Sequence, residues 1–208
     1  MKTLFALLFS IAISSSLFAQ SETLFDSDMR HGGYGGPVVK FTSVNGEFGV
    51  MVGGYGGWLI NGQLMLGGGG YGLVSDIAAS EATQKAYYAN GPKLYFDMGY
   101  GGGIIEFIAA NNNLVHFSVH TLIGAGSVQY RTYRYADFDD DYRKVNIDPD
   151  AFFVLEPGAN VELNVAPWMR TMIGGSYRYV SGINRTVGVG NEDLRGFSGN
   201  ITFKFGTF

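Results

Sequence analysis

Two short stretches of the sequence carry residue types that could do chemistry. The first is His116-Phe117-Ser118-Val119-His120, in which two imidazoles and a hydroxyl alternate, and an imidazole beside a hydroxyl is the pair that hydrolases use to activate a nucleophile. On a strand, His116 and His120 are attached about 13 Å apart, too far to share one metal ion. No glutamate follows in the next loop to orient a histidine. We therefore favour internal hydrogen bonding for this stretch and keep hydrolysis as an alternative.

The second stretch is acidic. Asp137, Asp139, Asp141 and Asp148 stand at positions 1, 3, 5 and 12 of a calcium-loop spacing. Position 6 is Tyr142 where the sharp turn needs glycine, position 12 lacks the usual glutamate, and no helix pattern flanks the loop. These four aspartates are a weak metal candidate, and the favoured interpretation is a solvated loop.

Composition excludes several classes of protein. The 208 residues include 32 Gly and no Cys, so thiol-based metal sites and disulfide scaffolds are excluded. The net charge of −4 argues against a nucleic-acid partner. Residues 67–72 satisfy G-x-G-x-x-G, but no helical pattern follows, so we expect no dinucleotide and no other cofactor. The glycines instead allow a tightly curved sheet with room inside for large side chains.

The N-terminus has the pattern of an export signal. Lys2 precedes an uncharged apolar run over 4–13, and small residues lead to Ala19. The run is too short to cross a bilayer as a helix. We predict a cleaved signal peptide over 1–19 and a single domain over 20–208.

The rest of the chain alternates strands and turns. Two asparagine–glycine turns, Asn45-Gly46 and Asn61-Gly62, are typical of tight hairpins. Long polar connections fall at 75–92, 130–150 and 181–195, and all three would lie at the same end of an antiparallel sheet. We predict eight strands, near 36–44, 48–60, 63–74, 93–108, 114–129, 151–164, 169–180 and 196–207.

The two faces of these strands differ. Val115, Phe117 and Val119 share one face of their strand, opposite His116 and Ser118. Similar alternation in 151–164 and 196–207 predicts apolar residues facing lipid and polar residues facing a lumen. A change of apolar parity around 101–103 predicts a glycine bulge, and the register of 63–74 is left open. The charged residues that we assign to the lumen, where they should pair and fill the space, are Lys40, Asp97, Glu156, Glu162, Arg170, Arg178 and Lys204.

Together these patterns predict an all-β protein, an eight-stranded antiparallel up-and-down transmembrane β-barrel. A soluble β-sandwich is the alternative fold. The chain resembles small, glycine-rich and mostly uncharacterised outer-membrane β-barrel proteins of diderm bacteria. The stretches that carry the resemblance are GGPVVKFTSVNGEFGVMVGGYGGWLIN (35–61), GGGGYGLV (67–74), EPGANVELNVAPW (156–168), GSYRYVSG (175–182) and FKFGTF (203–208).

The resemblance implies residence in the outer membrane among lipid and lipopolysaccharide. It also implies delivery by the barrel-assembly machinery, which would read the terminal aromatic Phe208. This residue departs from the pattern, because it shares a face with Lys204 and Thr202 and not with the neighbouring phenylalanines.

We expect a structural or interaction protein that is not an enzyme. It would act through its outer loops or as a subunit with other outer-membrane proteins. One alternative is a small transporter or channel for an ion or a hydrophobic molecule, with the glycine-rich wall at 63–74 and 101–103 as a side exit. The other is a lipid-modifying hydrolase that uses His116, Ser118 and His120.

Overall fold

The computed structural model describes residues 30–135, 142–184 and 186–208, without side-chain detail for 133–145. This part of the chain forms nine strands and two short helices. Neither helix is long and apolar enough to cross a membrane. The elements are β1 (His31–Val44), β2 (Glu47–Ile60), β3 (Leu64–Leu73), β4 (Ile77–Ala78), α1 (Glu81–Tyr87), β5 (Tyr95–Ala109), β6 (Val115–Tyr135), β7 (Tyr142–Ala166), β8 (Met169–Ser181), α2 (Asn191–Leu194) and β9 (Gly196–Thr207).

Eight long strands close into a ring. Each pairs antiparallel with the long strands next to it in sequence, β3 pairs with β5, and β1 pairs with β9. The short β4 pairs with β5 beyond the end of β3, on the same edge of β5 that β3 uses. Closure leaves no free sheet edge among the long strands. The predicted eight-stranded, antiparallel, up-and-down barrel is confirmed.

The connections divide the barrel into two ends. At one, which we call the turn end, lie residues 61–63, 110–114 and 167–168 together with Arg30 and Phe208. The other, the loop end, carries residues 74–94, the facing ends of β6 and β7, residues 182–184 and 186–195, and one tight turn. In that turn Asn45 and Gly46 both have positive φ, of 53° and 76°, which matches the right-handed twist of the flanking strands. The structure therefore has the predicted arrangement, with tight turns at one end of the barrel and the long connections at the other.

The inner and outer faces follow strict alternation. In β6, Val115, Phe117 and Val119 are more than half exposed, whereas His116 and Ser118 are buried. The faces predicted for β7 and β9 are also as observed. In β3, whose register the sequence left open, Met65 and Tyr71 point inward. The barrel thus presents apolar side chains outside, whereas its inner face mixes polar side chains with buried apolar ones such as Met65, Ile104 and Met172.

Asp97 and the predicted bulge are corrected by the structure. β5 pairs with β3 without a register shift from Leu64↔Phe107 to Gly72↔Gly99, so there is no bulge at 101–103 and no gap in this wall. With that register, Phe96 and Met98 point inward and Asp97 outward, where its Oδ2 accepts a hydrogen bond from Gln129 at 3.5 Å. The strand stays regular, and its apolar residues pass from the inner face at Phe96 and Met98 to the outer face at Ile105 and Phe107. The inner face itself is apolar near the loop end, where loops cover it.

Close packing explains many of the glycines on the inner face. A Cβ on Gly102 would stand 2.6 Å from the Cα of Gly124 on β6. A Cβ on the next residue, Gly103, points outward and would meet no atom closer than the Gly67 oxygen at 4.0 Å. Inner glycines thus let neighbouring strands and bulky side chains approach, as expected for a narrow barrel.

Candidate functional site: the lumenal charge network

Lys204 is the centre of a charge cluster toward the turn end. Its Nζ donates to Oε1 of Glu106 at 2.8 Å and to Oε1 of Glu162 at 2.7 Å. All three side chains are completely buried. Lys204 lies on β9 and Glu106 on β5, which is four strands away around the ring of eight. The ammonium group therefore joins opposite walls of the barrel.

The carboxylates of this cluster have further partners. Tyr34 and Tyr55 both donate to Oε2 of Glu106, the latter at 3.1 Å. Oε2 of Glu162 lies 3.4 Å from Nε2 of His116 and 4.0 Å from Nη1 of Arg170. Two buried carboxylates are thereby compensated by a lysine, an arginine and two phenols, as burial of charge requires.

A second cluster lies toward the loop end. Lys40 on β1 pairs with Oε1 of Glu156 on β7 at 2.5 Å, and its Nζ lies 3.5 Å from the centre of the Tyr71 ring. The hydroxyls of Tyr100 and Ser176 donate to the two oxygens of Glu156, each at 2.5 Å. Ammonium, carboxylate and aromatic ring form one compact unit across the lumen.

Arg178 lies on the loop-end side of this cluster. Its Nε donates to the carbonyl of Leu194 at 2.6 Å, and Nη2 donates to the carbonyl of Ser43 at 3.1 Å. The side chain is completely buried. Arg178 therefore ties β8 to α2 and to the upper end of β1, and it holds a loop over the barrel mouth.

A polar belt lies between the two clusters. Asn160 Nδ2 contacts the Ser118 Oγ at 3.3 Å and the His120 Nδ1 at 3.0 Å. Ser118 also approaches the Met172 sulfur at 3.9 Å. Nδ1 of His116 contacts the Asn113 carbonyl oxygen at 3.2 Å, and its Nε2 contacts Nη1 of Arg170 at 3.4 Å. With both nitrogens engaged, it has none left to activate a serine.

The turn-end mouth is closed by the last residue of the chain. The Phe208 ring stacks on Tyr34 with centroids 5.5 Å apart, and the guanidinium carbon of Arg170 lies 4.0 Å from its centre. An open hollow of about 500 Å³ beside it is lined by Asn111, Asn164 and neighbouring turn residues. Phe208 points inward, unlike the neighbouring phenylalanines, and its ring therefore packs across the mouth of the barrel.

The loops at the other end are joined by hydrogen bonds into a loop platform, which we define as α1 and residues 146–150, 182–184 and 186–195. Asp148 holds it together: its Oδ2 accepts from the Tyr87 hydroxyl at 2.5 Å and from the Val187 amide at 3.0 Å. Partial burial and this hydrogen bond raise the pKa of Tyr87 to about 12. α1 begins at the cap Ser80, whose Oγ accepts from the Thr83 amide at 3.2 Å.

The structure brings together most of the charged residues that the sequence assigned to the lumen. Lys40, Glu156, Glu162, Arg170, Arg178 and Lys204 all point inward, and Asp97 does not. Glu106 was missed, although its neighbours Ile105 and Phe107 are outward and apolar, which places it on the inner face.

The predicted calcium spacing is only partly visible. Asp137, Asp139 and Asp141 lie outside the described residues, and Asp148 serves the platform. Among the residues that the structure describes, no group of three or more metal-ligating side chains is assembled.

Comparison with known proteins agrees on the fold. The structure of Neisserial surface protein A matches with a TM-score of 0.50 and 14% identity, over 85% of this chain and 97% of that one. A major outer membrane protein from Thermus thermophilus matches with a TM-score of 0.54 and 11% identity, over 85% and 99%.

The chain has the fold of small outer-membrane β-barrels. No family model and no curated protein sequence matches this barrel. At such low identity the structural matches speak for its fold alone.

Proposed function

We propose that this barrel is an outer-membrane protein, exported with a cleaved signal peptide, that acts in binding or support and neither conducts nor catalyses. It would lie among outer-membrane lipid and lipopolysaccharide, without a cofactor. The observation that carries the proposal is the buried network that joins opposite walls through Lys204 and Lys40. Because the lumen is filled in this way, the outer wall and the loop platform are the surfaces available for binding.

Energetics support a closed lumen. The inner face holds four basic side chains, Lys40, Arg170, Arg178 and Lys204, and three carboxylates, Glu106, Glu156 and Glu162, none more than 5% exposed. An ion path would have to separate these pairs in a dry interior, which is costly because each partner would become an uncompensated buried charge. Catalysis is disfavoured because His116 and Ser118 have structural partners.

The loop platform is the surface that we propose for partners. It is ordered by side-chain hydrogen bonds, so it presents a defined shape at low entropic cost of binding. Glu81 and Lys85 on α1 project from it with side chains 94% and 73% exposed. A partner outside the cell, or a neighbouring outer-membrane protein with long loops, would meet these groups first.

Two measurements test location and closure. Expressing cells are fractionated, and the outer-membrane fraction is run on a gel with and without boiling; we expect a heat-dependent mobility shift. Purified protein in a planar bilayer should give no steady conductance. Soluble protein without a shift contradicts the location, and reproducible single-channel steps contradict the closed lumen.

A third measurement tests the binding role. Intact cells are treated with a crosslinker, and the barrel is recovered with its adducts. We expect a discrete adduct that is lost when the charges of Glu81 and Lys85 are exchanged. The control exchanges Lys40 and Glu156 charges inside the lumen in protein verified as folded, which should keep the adduct. Failure to recover any adduct counts against a binding role.

A further inference from the structure

The turn-end mouth contains an arginine whose hydrogen-bond donors are mostly unused. Arg170 is 5% exposed, and its Nη1 lies 3.4 Å from Nε2 of His116. The 4.0 Å between the same Nη1 and Oε2 of Glu162 is too long for a hydrogen bond. A guanidinium carries five N–H donors on three nitrogens. Nε and Nη2 of Arg170 therefore have no acceptor in the described part of the chain.

Neither of these two nitrogens is sealed inside the protein. A side-chain nitrogen that is both buried and without a partner occurs at Nε of Arg131 but not at Arg170. Arg170 instead lines two hollows at the mouth, the open one of about 500 Å³ and a narrower one of about 60 Å³ that Arg30 also lines. The Phe208 ring lies 4.0 Å from the guanidinium carbon and covers one face of the group. A ligand in the mouth would therefore meet its N–H edge.

The charge of the mouth favours an anion. Arg30 and Arg170 line the hollows, and no aspartate or glutamate of the described chain does. The terminal carboxylate of Phe208 makes no ion pair with Arg170, whose single ion pair among the described residues is the long one with Glu162. A carboxylate matches the planar fork of a guanidinium and can accept two parallel hydrogen bonds from it. The mouth is thus suited to a carboxylate that another molecule supplies.

The amide side chains of the larger hollow indicate what else this molecule carries. Asn111 Nδ2 donates to the Gly62 carbonyl at 2.9 Å, and Asn164 Nδ2 donates to the Asn113 carbonyl at 2.8 Å. Their Oδ1 atoms remain as acceptors, which need an N–H donor from the ligand. Inorganic phosphate has no such donor, whereas the end of a peptide has both a carboxylate and amide N–H groups. The apolar lining of the same hollow consists of Val165, Ala166, Pro167 and Phe208.

We propose that the turn-end mouth binds the terminal carboxylate of a peptide. The carboxylate accepts hydrogen bonds from Nε and Nη2 of Arg170, and the Oδ1 atoms of Asn111 and Asn164 accept from the last peptide N–H groups. The apolar lining holds a small final side chain, as the volume of the hollow allows. The site lies at the opposite end of the barrel from the loop platform, so it is a second binding surface beyond the proposed function.

The test titrates purified, folded barrel in detergent micelles with N-acetyl-alanyl-alanine and follows the backbone amides by NMR. We expect saturable shifts at 111–112, 164–166 and 206–208, and none at the loop-end turn 45–46. The same peptide with an amidated C-terminus should bind about tenfold more weakly, the factor expected when a charge-assisted hydrogen bond is lost. Inorganic phosphate should not displace the peptide.

Three outcomes overturn the proposal. The first is the absence of saturable shifts at the mouth, and the second is equal affinity for the acid and the amide. The third is displacement of the peptide by phosphate, which would make the mouth a general anion site and remove the assignment to a peptide.

Two variants locate the site. Arg170→Lys keeps the positive charge near Glu162 but loses the planar fork, so it should weaken binding of the acid about tenfold and leave the amide unchanged. Ala166→Leu fills the hollow without altering a charge and should abolish binding of both peptides. Its matched control is Ala109→Leu, at the exposed turn end of β5, which should bind as the wild-type protein does.

The control on folding separates this site from the proposed function. Every variant must show the heat-dependent mobility shift before it is titrated. Because the titration is done in micelles, a failed fractionation or a measured conductance contradicts the proposed function and not the peptide site. Folded protein whose peptide binding ignores both Arg170→Lys and Ala166→Leu contradicts only the peptide site.

Discussion

Removal of the central lysine is the sharpest test of the lumenal network. Lys204→Met keeps most of the side-chain volume but removes the hydrogen bonds to Glu106 and Glu162. Two completely buried carboxylates would then share the remaining partners, of which Arg170 is 4.0 Å from Glu162. Breaking a buried pair on one side costs about 3–5 kcal/mol because a buried charge is left uncompensated. We expect the free energy of unfolding to fall by that amount.

The assay is urea unfolding of vesicle-inserted protein, followed by fluorescence of the outward-facing Trp58 and Trp168. Lys85→Met is the matched control: Lys85 lies 3.9 Å from Glu81, both are largely exposed, and such pairs contribute about 0–1 kcal/mol. Adding Glu106→Gln to Lys204→Met should recover part of the loss, since one orphaned charge disappears. If Lys204→Met costs no more than Lys85→Met, the network does not stabilise the barrel and the reasoning is refuted.

Three smaller predictions use the same preparation. Gly102→Ala should destabilise the barrel by about 1–3 kcal/mol through overpacking against β6, whereas Gly103→Ala, with open space around its Cβ, should change stability by less than about 1 kcal/mol. Gly46→Ala, at φ 76°, should cost about 1–2 kcal/mol although nothing lies within 4 Å of its Cβ, and an unchanged unfolding midpoint would contradict this. Tyr87 should ionise near pH 12. The stabilisation from its hydrogen bond to Asp148 should be present at neutral pH and lost as the pH rises through about 12. The ionisation is measured as the difference in 295 nm absorbance between the wild-type protein and Tyr87→Phe at alkaline pH.

Strand positions and most faces could be predicted from the sequence because they depend on local patterns. The alternation of Val115, Phe117 and Val119 with His116 and Ser118 needs only the two-residue period of a strand. The asparagine–glycine turns are equally local, because only a few residue types accept positive φ. The prediction ended β6 too early and began β7 too late, since polar residues can continue a hairpin beyond the apolar band, as these strands do at 135 and 142.

The errors on β5 have one physical cause. Polar residues line a lumen where they can be hydrated or paired, but Leu94, Phe96 and Met98 lie inside under loops that exclude water. Covered by the loop platform, this part of the inner face packs like a soluble core. A row of apolar residues along a strand therefore indicates the lipid-facing side only where the lumen is not covered by loops or where it contains charged residues. That rule would have placed Asp97 outside and Glu106 inside.

The pairing of the inner charged residues could not be predicted from local sequence patterns. Alternation along a strand indicates which side chains point into the lumen. The pairs that they form depend on the stagger of all eight strands, because Lys204 contacts Glu106 from four strands away. A stagger error of one residue pair on any strand would move a carboxylate by about 7 Å along the barrel, further than an ion pair can stretch. The charge network can therefore act as a check on the register of the whole ring, since the register must bring Lys204 between Glu106 and Glu162 and Lys40 beside Glu156.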